Sequence, residues 1–255
     1  MSSPTQKLAP VPAARRRLAV VLVEGLDPTG IRIAEQLIRL GIGTVLLRDD
    51  RPMVGPSCRS ADQGRPRAEV FSRRLRPSDH RSAVLEAPEG SRVLGLDLHL
   101  LVICGETDVT RLRSAFYNDS TVLPVERSRT GFCIGPLLGQ RAAVCPECLV
   151  LYGLTVGSQA PENLRTGPID DALEPVVAEV AVQQARLLID GEPAAVGTGA
   201  LFGESGTGLL GHRPVGAHPE CRCLTDINDQ TDSASRPAPR SRRRIRHGDP
   251  IEAVS

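Results

Sequence analysis

The chain has 255 residues, with 31 basic and 30 acidic side chains for a formal net charge of +1, seven cysteines and a single lysine, Lys7. That balance gives the body no general attraction for nucleic acid. One lysine in the N-terminal stretch also excludes a G-x-x-x-x-G-K-[ST] phosphate loop and lysine Schiff-base chemistry. No apolar run approaches the roughly 18 residues needed to span a bilayer. Sparse, odd-numbered cysteines point to a reduced, cytoplasmic protein and not to a disulfide framework.

Residues 1–17, rich in Pro, Ala and Ser, read as a flexible lead-in without the apolar core of a secretory signal. The fold starts at residues 18–23, LAVVLV, a continuous apolar run typical of a strand buried on both faces. The turn EGLDPTG follows, and then a helix in which Ile31, Ile33, Ala34, Leu37, Ile38 and Leu40 recur at helical spacing until Gly41. Residues 44–47, TVLL, form the next strand and close on Asp49 and Asp50. Strand, glycine turn, helix, strand and acid make a βαβ unit of the nucleotide-binding kind. Residues 68–75 predict a helix, while 98–104 (LHLLVIC) and 122–125 predict further buried strands. The alternation predicts an α/β, doubly wound, mainly parallel Rossmann-like sheet. Residues 18–224 form this domain. Residues 225–255 form a basic tail carrying Arg240, Arg242, Arg243, Arg244 and Arg246, which reads as solvated and disordered.

Four of the cysteines arrive as two close pairs, Cys145-Pro-Glu-Cys148 and Cys221-Arg-Cys223. Two pairs of thiolates supply the four corners of a structural zinc site, which leaves no position for water or substrate. A Cys-x-x-Cys also admits a redox reading. His212 and His218 flank the second pair and could donate hydrogen bonds to its sulfurs or replace a ligand. His99, Cys104 and Cys133 read as core residues, and Cys58 as a loop thiol.

The order of these features resembles the ThiF/MoeB/HesA family, the prokaryotic relatives of ubiquitin-activating enzymes. GIGTVLLRDD (41–50) is similar to the family's second strand with its Asp-Asp end. ADQGRPRAEVFSRRLR (61–76) is similar to its Asp-x-Gly-x-x-Lys-Ala helix start, and ALEPVVAEVAVQQARLLIDGEP (172–193) to the helix between the two cysteine pairs. GFCIGPLLGQRAAVCPECLVLYG (131–153) and HRPVGAHPECRC (212–223) resemble the branch of cyclodehydratase partner proteins in thiazole/oxazole-modified peptide biosynthesis, down to the Cys-x-Cys ending.

The resemblance implies an ATP site in which Gly25 and Gly30 make the turn, Asp50 binds ribose, Arg59 and Arg67 contact phosphates, and Glu106 holds magnesium. The turn itself departs from Gly-x-Gly-Gly-x-Gly, because Asp27 and Pro28 stand at the two central glycines. Proline removes an amide donor. A carboxylate about 4 Å from a phosphate charge costs roughly 4 kcal/mol at an effective dielectric near 20. ATP and magnesium are therefore doubtful ligands. Each residue also has a plainer reading: turn glycines, strand-end acids and a solvated arginine face.

Two functions follow from the resemblance. One is a partner protein of azole- or thiopeptide-type biosynthesis that binds a precursor peptide and presents it to a separate modifying cyclodehydratase, its ATP site degenerate. With about 17 residues ahead of the first strand, such a partner is expected without a fused cyclising domain or N-terminal peptide-binding module. The other is an active adenylyltransferase acting on the C-terminal carboxylate of a small carrier protein or peptide. The resemblance also implies a homodimer. The helix over 173–189 carries apolar residues on most sides, as expected of a helix buried from several directions.

Overall fold

In the computed structural model the described residues are 11–223, apart from 56–57, 78–80, 106–108, 119–120, 140–143 and 154–170. The elements in chain order are α1 (Val11–Leu18), β1 (Val20–Glu24), α2 (Pro28–Arg39), β2 (Thr44–Arg48), α3 (Arg67–Arg74), β3 (Ala83–Glu86) and β4 (Leu98–Cys104). They continue as α4 (Val109–Asn118), β5 (Thr121–Arg127), β6 (Gly131–Ile134), β7 (Leu138–Gly139), α5 (Pro146–Leu151), α6 (Glu174–Asp190), β8 (Gly199–Glu204) and β9 (Leu210–Pro214). The compact body runs through Cys221.

One sheet holds the strands in the order β3-β2-β1-β4-β5-β6-β8-β9, with β7 paired to β5. From β3 to β5 the pairs are parallel, with registers such as Val21↔Val45 and Val102↔Val125. Beyond β5 the sheet continues antiparallel. The doubly wound α/β half is as expected from the alternation of elements, and the order reverses between β1 and β4, where such sheets leave a crevice at their carboxyl ends.

The central strand shows why a continuous apolar run was its signature: Val21, Leu22 and Val23 are fully buried and face alternate sides. Val21 and Val23 join Val45, Leu100 and Leu123 under α2, α3 and α6. Leu22 packs on the other face against Ala87 and Leu96. Burying each such side chain is worth about 1.5–3 kcal/mol relative to exposure.

Residues 11–17, counted in the sequence with the lead-in, and Leu18, counted with the first strand, are helical. The physical reason lies far along the chain. Arg16 grips the Asp190 carboxylate with both Nε (2.8 Å) and Nη2 (2.5 Å), and Arg15 donates to the Asp190 carbonyl at the C-terminal end of α6. Cations at a helix C-terminus also meet the negative end of its dipole. The broad apolar surface of α6 is used within the chain, where the helix packs against α1, α2, β5 and β6.

α2 starts three residues before the first apolar residue of its pattern. Asp27 takes the N-cap position with its carboxylate accepting from the Gly30 amide at 3.1 Å, and Pro28 follows inside the first turn. Gly25, at φ 93°, and Gly30 let this first turn close down on the sheet. A Cβ on Gly30 would overlap the Gly25 carbonyl oxygen, and one on Gly25 would overlap the Val102 carbonyl oxygen. Gly30→Ala should therefore destabilise the protein by about 1–3 kcal/mol in denaturant unfolding, because the clash is with backbone. Gly206→Ala, where a Cβ meets nothing within 4 Å, should stay within about 0.5 kcal/mol of the native chain.

Candidate functional site

Two places gather chemistry-bearing residues: the crevice at the carboxyl ends of β1 and β2, and the cysteine pairs around α5. The crevice, about 190 Å³, is walled by Glu24, Arg48, Asp49, Asp50, Arg51 and Arg111, with Glu89 at its side.

Asp49 directs its carboxylate into the turn between β1 and α2. Its Oδ2 accepts the Leu26 amide at 2.7 Å, and Arg51 reaches both carboxylate oxygens at 2.9 and 2.7 Å. Burial alone would raise the pKa of Asp49, but the bonds from Arg51 and from the Leu26 amide outweigh it and hold the group below its ordinary value. Asp50, the sequence candidate for ribose, is exposed and lines the crevice beside it. Arg67 is not a solvated arginine: it is half-buried, with Nη1 3.4 Å from the Leu26 carbonyl oxygen and 4.0 Å from Asp49. Arg59 is exposed and precedes the short turn Ser60–Asp62. Glu106 lies outside the described residues.

Two amides of the turn are thereby assigned, while the Thr29 hydroxyl is buried with no hydrogen-bond partner among the described residues. The Leu26 amide is bound to Asp49, the Gly30 amide to Asp27, and Pro28 has none. Asp27 is 8% exposed, so a carboxylate is built into the positive end of α2, the place where such folds receive anions. Cys104 sits beyond it at the end of β4. Burial, and then the neighbouring Asp27 charge, push this thiol up to about 12, so it is no nucleophile at neutral pH.

The residue that the sequence reading missed is Glu24. It closes β1 immediately before the glycine turn, and its carboxylate lies 3.1 Å from Arg48, 3.1 Å from Arg111 and 3.3 Å from the wholly buried His99. Burial opposes its ionisation, yet His99, Arg111 and Arg48 together bring its pKa down to about 2. Arg48 is fixed further by donating to the Ser91 carbonyl at 2.7 Å. A charged residue ending an otherwise apolar strand was the available signal. His99 belongs to this network through the 3.3 Å approach of its Nε2 to Glu24.

At the second place the four cysteines come together. The sulfurs of Cys145, Cys148, Cys221 and Cys223 all lie within 4.8 Å of one another. Cys145 stands 3.7 Å from Cys148 and 3.5 Å from Cys221, sulfur to sulfur. Thiolates about 2.3 Å from a tetrahedral zinc ion are about 3.8 Å apart, so the quartet could hold zinc with little movement. Proline at the start of α5 sets the first knuckle, whose Cys148 amide bonds back to the Cys145 carbonyl at 3.1 Å. The His218 backbone amide donates to the Cys148 sulfur at 3.3 Å. His212 is engaged elsewhere, with its ring 3.2 Å from the Ala195 carbonyl oxygen.

Fold and crevice together have the doubly wound architecture expected from the sequence, with the crevice at the point where the strand order reverses. No family model matches the sequence, and no curated protein matches it either. Among solved structures, MccB from E. coli is similar at a TM-score of 0.65 and 16% identity, over 83% of this chain and 66% of MccB. The microcin C7 biosynthetic enzyme MccB in complex with N-formylated MccA gives 0.65 and 15%, over 83% of this chain and 69% of that one. PaaA gives 0.58 and 14%, over 81% and 67%. The chain thus spans about two-thirds of the length of these proteins. Likeness at this identity establishes the fold. No helix among the described residues is long and apolar enough to cross a membrane.

If the quartet holds zinc as a clamp, metal and folding are coupled. Protein purified without chelator should contain one zinc per chain by elemental analysis, and Cys148→Ser should lose the metal and melt at a lower temperature.

Proposed function

We propose that this chain is a ThiF-like partner protein of ribosomal peptide biosynthesis of the azole or thiopeptide type. It binds a precursor peptide, presents it to a separate modifying cyclodehydratase, and does not use its switch-point crevice for ATP. The observation that carries this reading is the filled turn: Asp49 and Asp27 take the Leu26 and Gly30 amides, and Pro28 offers no donor. A polyphosphate would have to displace two carboxylates and then sit against their charge. Arg51 and Arg67 point at Asp49, and Arg48 and Arg111 at Glu24, so each of these arginines already has a carboxylate partner, two arginines to one acid.

Peptide binding is supported by MccB, which shares this fold and is solved with MccA. A homodimer and a cytoplasmic setting rest on the resemblance and the reduced cysteines. The apolar breadth of α6 adds no support for a dimer, since contacts within the chain account for it. Zinc at the quartet would be structural, joining α5 to the segment after β9.

The second reading, an ATP-dependent adenylyltransferase acting on a C-terminal carboxylate, is favoured by the structure of MccB with ATP. The likeness to MccB therefore lends the doubt about ATP no support. That doubt rests on this chain's own carboxylates. In the active reading Asp50 would hold ribose, Arg59 and Arg67 the phosphates, and Glu106 magnesium.

Calorimetry with ATP and magnesium separates the two. The native chain should show no micromolar binding, while Asp27→Gly/Pro28→Gly should gain measurable affinity, because a donor returns and a charge leaves. Losing the Asp27 cap to glycine costs only a few tenths of a kcal/mol, so the double variant should remain folded. Micromolar binding by the native chain that disappears in Arg67→Ala supports the adenylyltransferase instead.

A further inference from the structure

The two cysteine knuckles are joined by a ring of contacts that does not pass through a metal. Tyr152 caps α5, and its backbone amide donates to the Cys148 carbonyl at 2.9 Å. Its phenol reaches across 65 positions of sequence to donate to the Ala217 carbonyl at 3.3 Å. Its ring meets the His218 imidazole edge-on, with centroids 4.5 Å apart and planes at 71°. The His218 amide then returns to the Cys148 sulfur at 3.3 Å, and the Cys221 amide is tied to the His218 carbonyl at 2.9 Å. The imidazole is itself oriented, because its Nδ1 accepts the Glu220 amide at 3.2 Å.

From this closed ring we propose that Tyr152 and His218 are positioning residues that hold the second cysteine pair against the first, so that the four-sulfur site is preorganised before metal arrives. The edge-to-face ring pair supplies a contact that is independent of thiolate charge, and the phenol bond fixes its register. An amide directed at the Cys148 sulfur favours the charged thiolate, and the clasp presents that amide. Without it, gathering four thiolates would depend on the metal alone, and each opening of the site would release it.

The proposal rests on the quartet holding zinc, and its test reads metal release and ligand field, not activity. Purified zinc-loaded protein is mixed with a chromophoric chelator, and the release rate is followed. Tyr152→Ala should release zinc about 10–100-fold faster than the native chain, the range typical of losing a partner outside the ligand shell. Tyr152→Phe, which keeps the ring pair and loses the phenol bond, should stay closer to native than to Tyr152→Ala. Cobalt-substituted Tyr152→Ala should show weakened tetrahedral ligand-field bands, which a merely less stable protein with an intact site would not. Native release rate and native cobalt bands in folded Tyr152→Ala overturn the proposal. If Tyr152→Ala does not fold, His218→Ala takes its place: it removes the ring and keeps the backbone amide, and a native release rate in that variant overturns the clasp. Absence of stoichiometric zinc from the native chain overturns the zinc reading and the clasp with it, whereas bound zinc with unchanged release overturns the clasp alone.

Discussion

The close descent of α2 onto the end of β1 is the constraint on which the rest of the crevice depends. Gly30 lies where a Cβ would strike the Gly25 carbonyl oxygen, and Gly25 lies equally close to β4. With the helix start held there, the amides around it need partners from side chains, water or a ligand. Here the chain supplies its own: Asp27 from the cap and Asp49 from the end of β2. The two glycines of the turn are thus explained by packing alone. They mark the turn without marking what it binds.

The charges around the crevice form two groups, each with two arginines to one carboxylate. Asp49 gathers Arg51 and Arg67 on one side, and Glu24 gathers Arg48, Arg111 and His99 on the other. Buried carboxylates held this way are costly to desolvate and costly to break apart, because removing one partner strands the other. Such a network gives the crevice a fixed shape.

Much of the architecture was legible in the sequence. β4 matches its apolar run at residues 98–104, and β2 and α6 fall within a residue or two of their patterns, because burial on a sheet writes itself into continuous or periodic apolar spacing. The cysteine quartet was legible for a different reason: thiolate pairs at short spacing have few uses. α1 was not, since Arg15 and Arg16 are ordered by Asp190, some 174 positions away, and no local pattern carries that partner. α2 began early because Asp27, read as a lost glycine, is also its cap. Glu24 escaped for the same reason as α1: its meaning lies in Arg48, Arg111 and His99, which only the folded sheet brings together.

In the proposed function the turn between β1 and α2 is closed to anions by the chain's own carboxylates. Amide resonances report this directly, because the Leu26 and Gly30 N–H groups are the donors in question. Two-dimensional nitrogen–proton spectra of the native chain should be followed while ATP and magnesium are added. With the turn closed, both resonances should stay in place through millimolar nucleotide. Saturable shifts of Leu26 and Gly30 at micromolar nucleotide would contradict it.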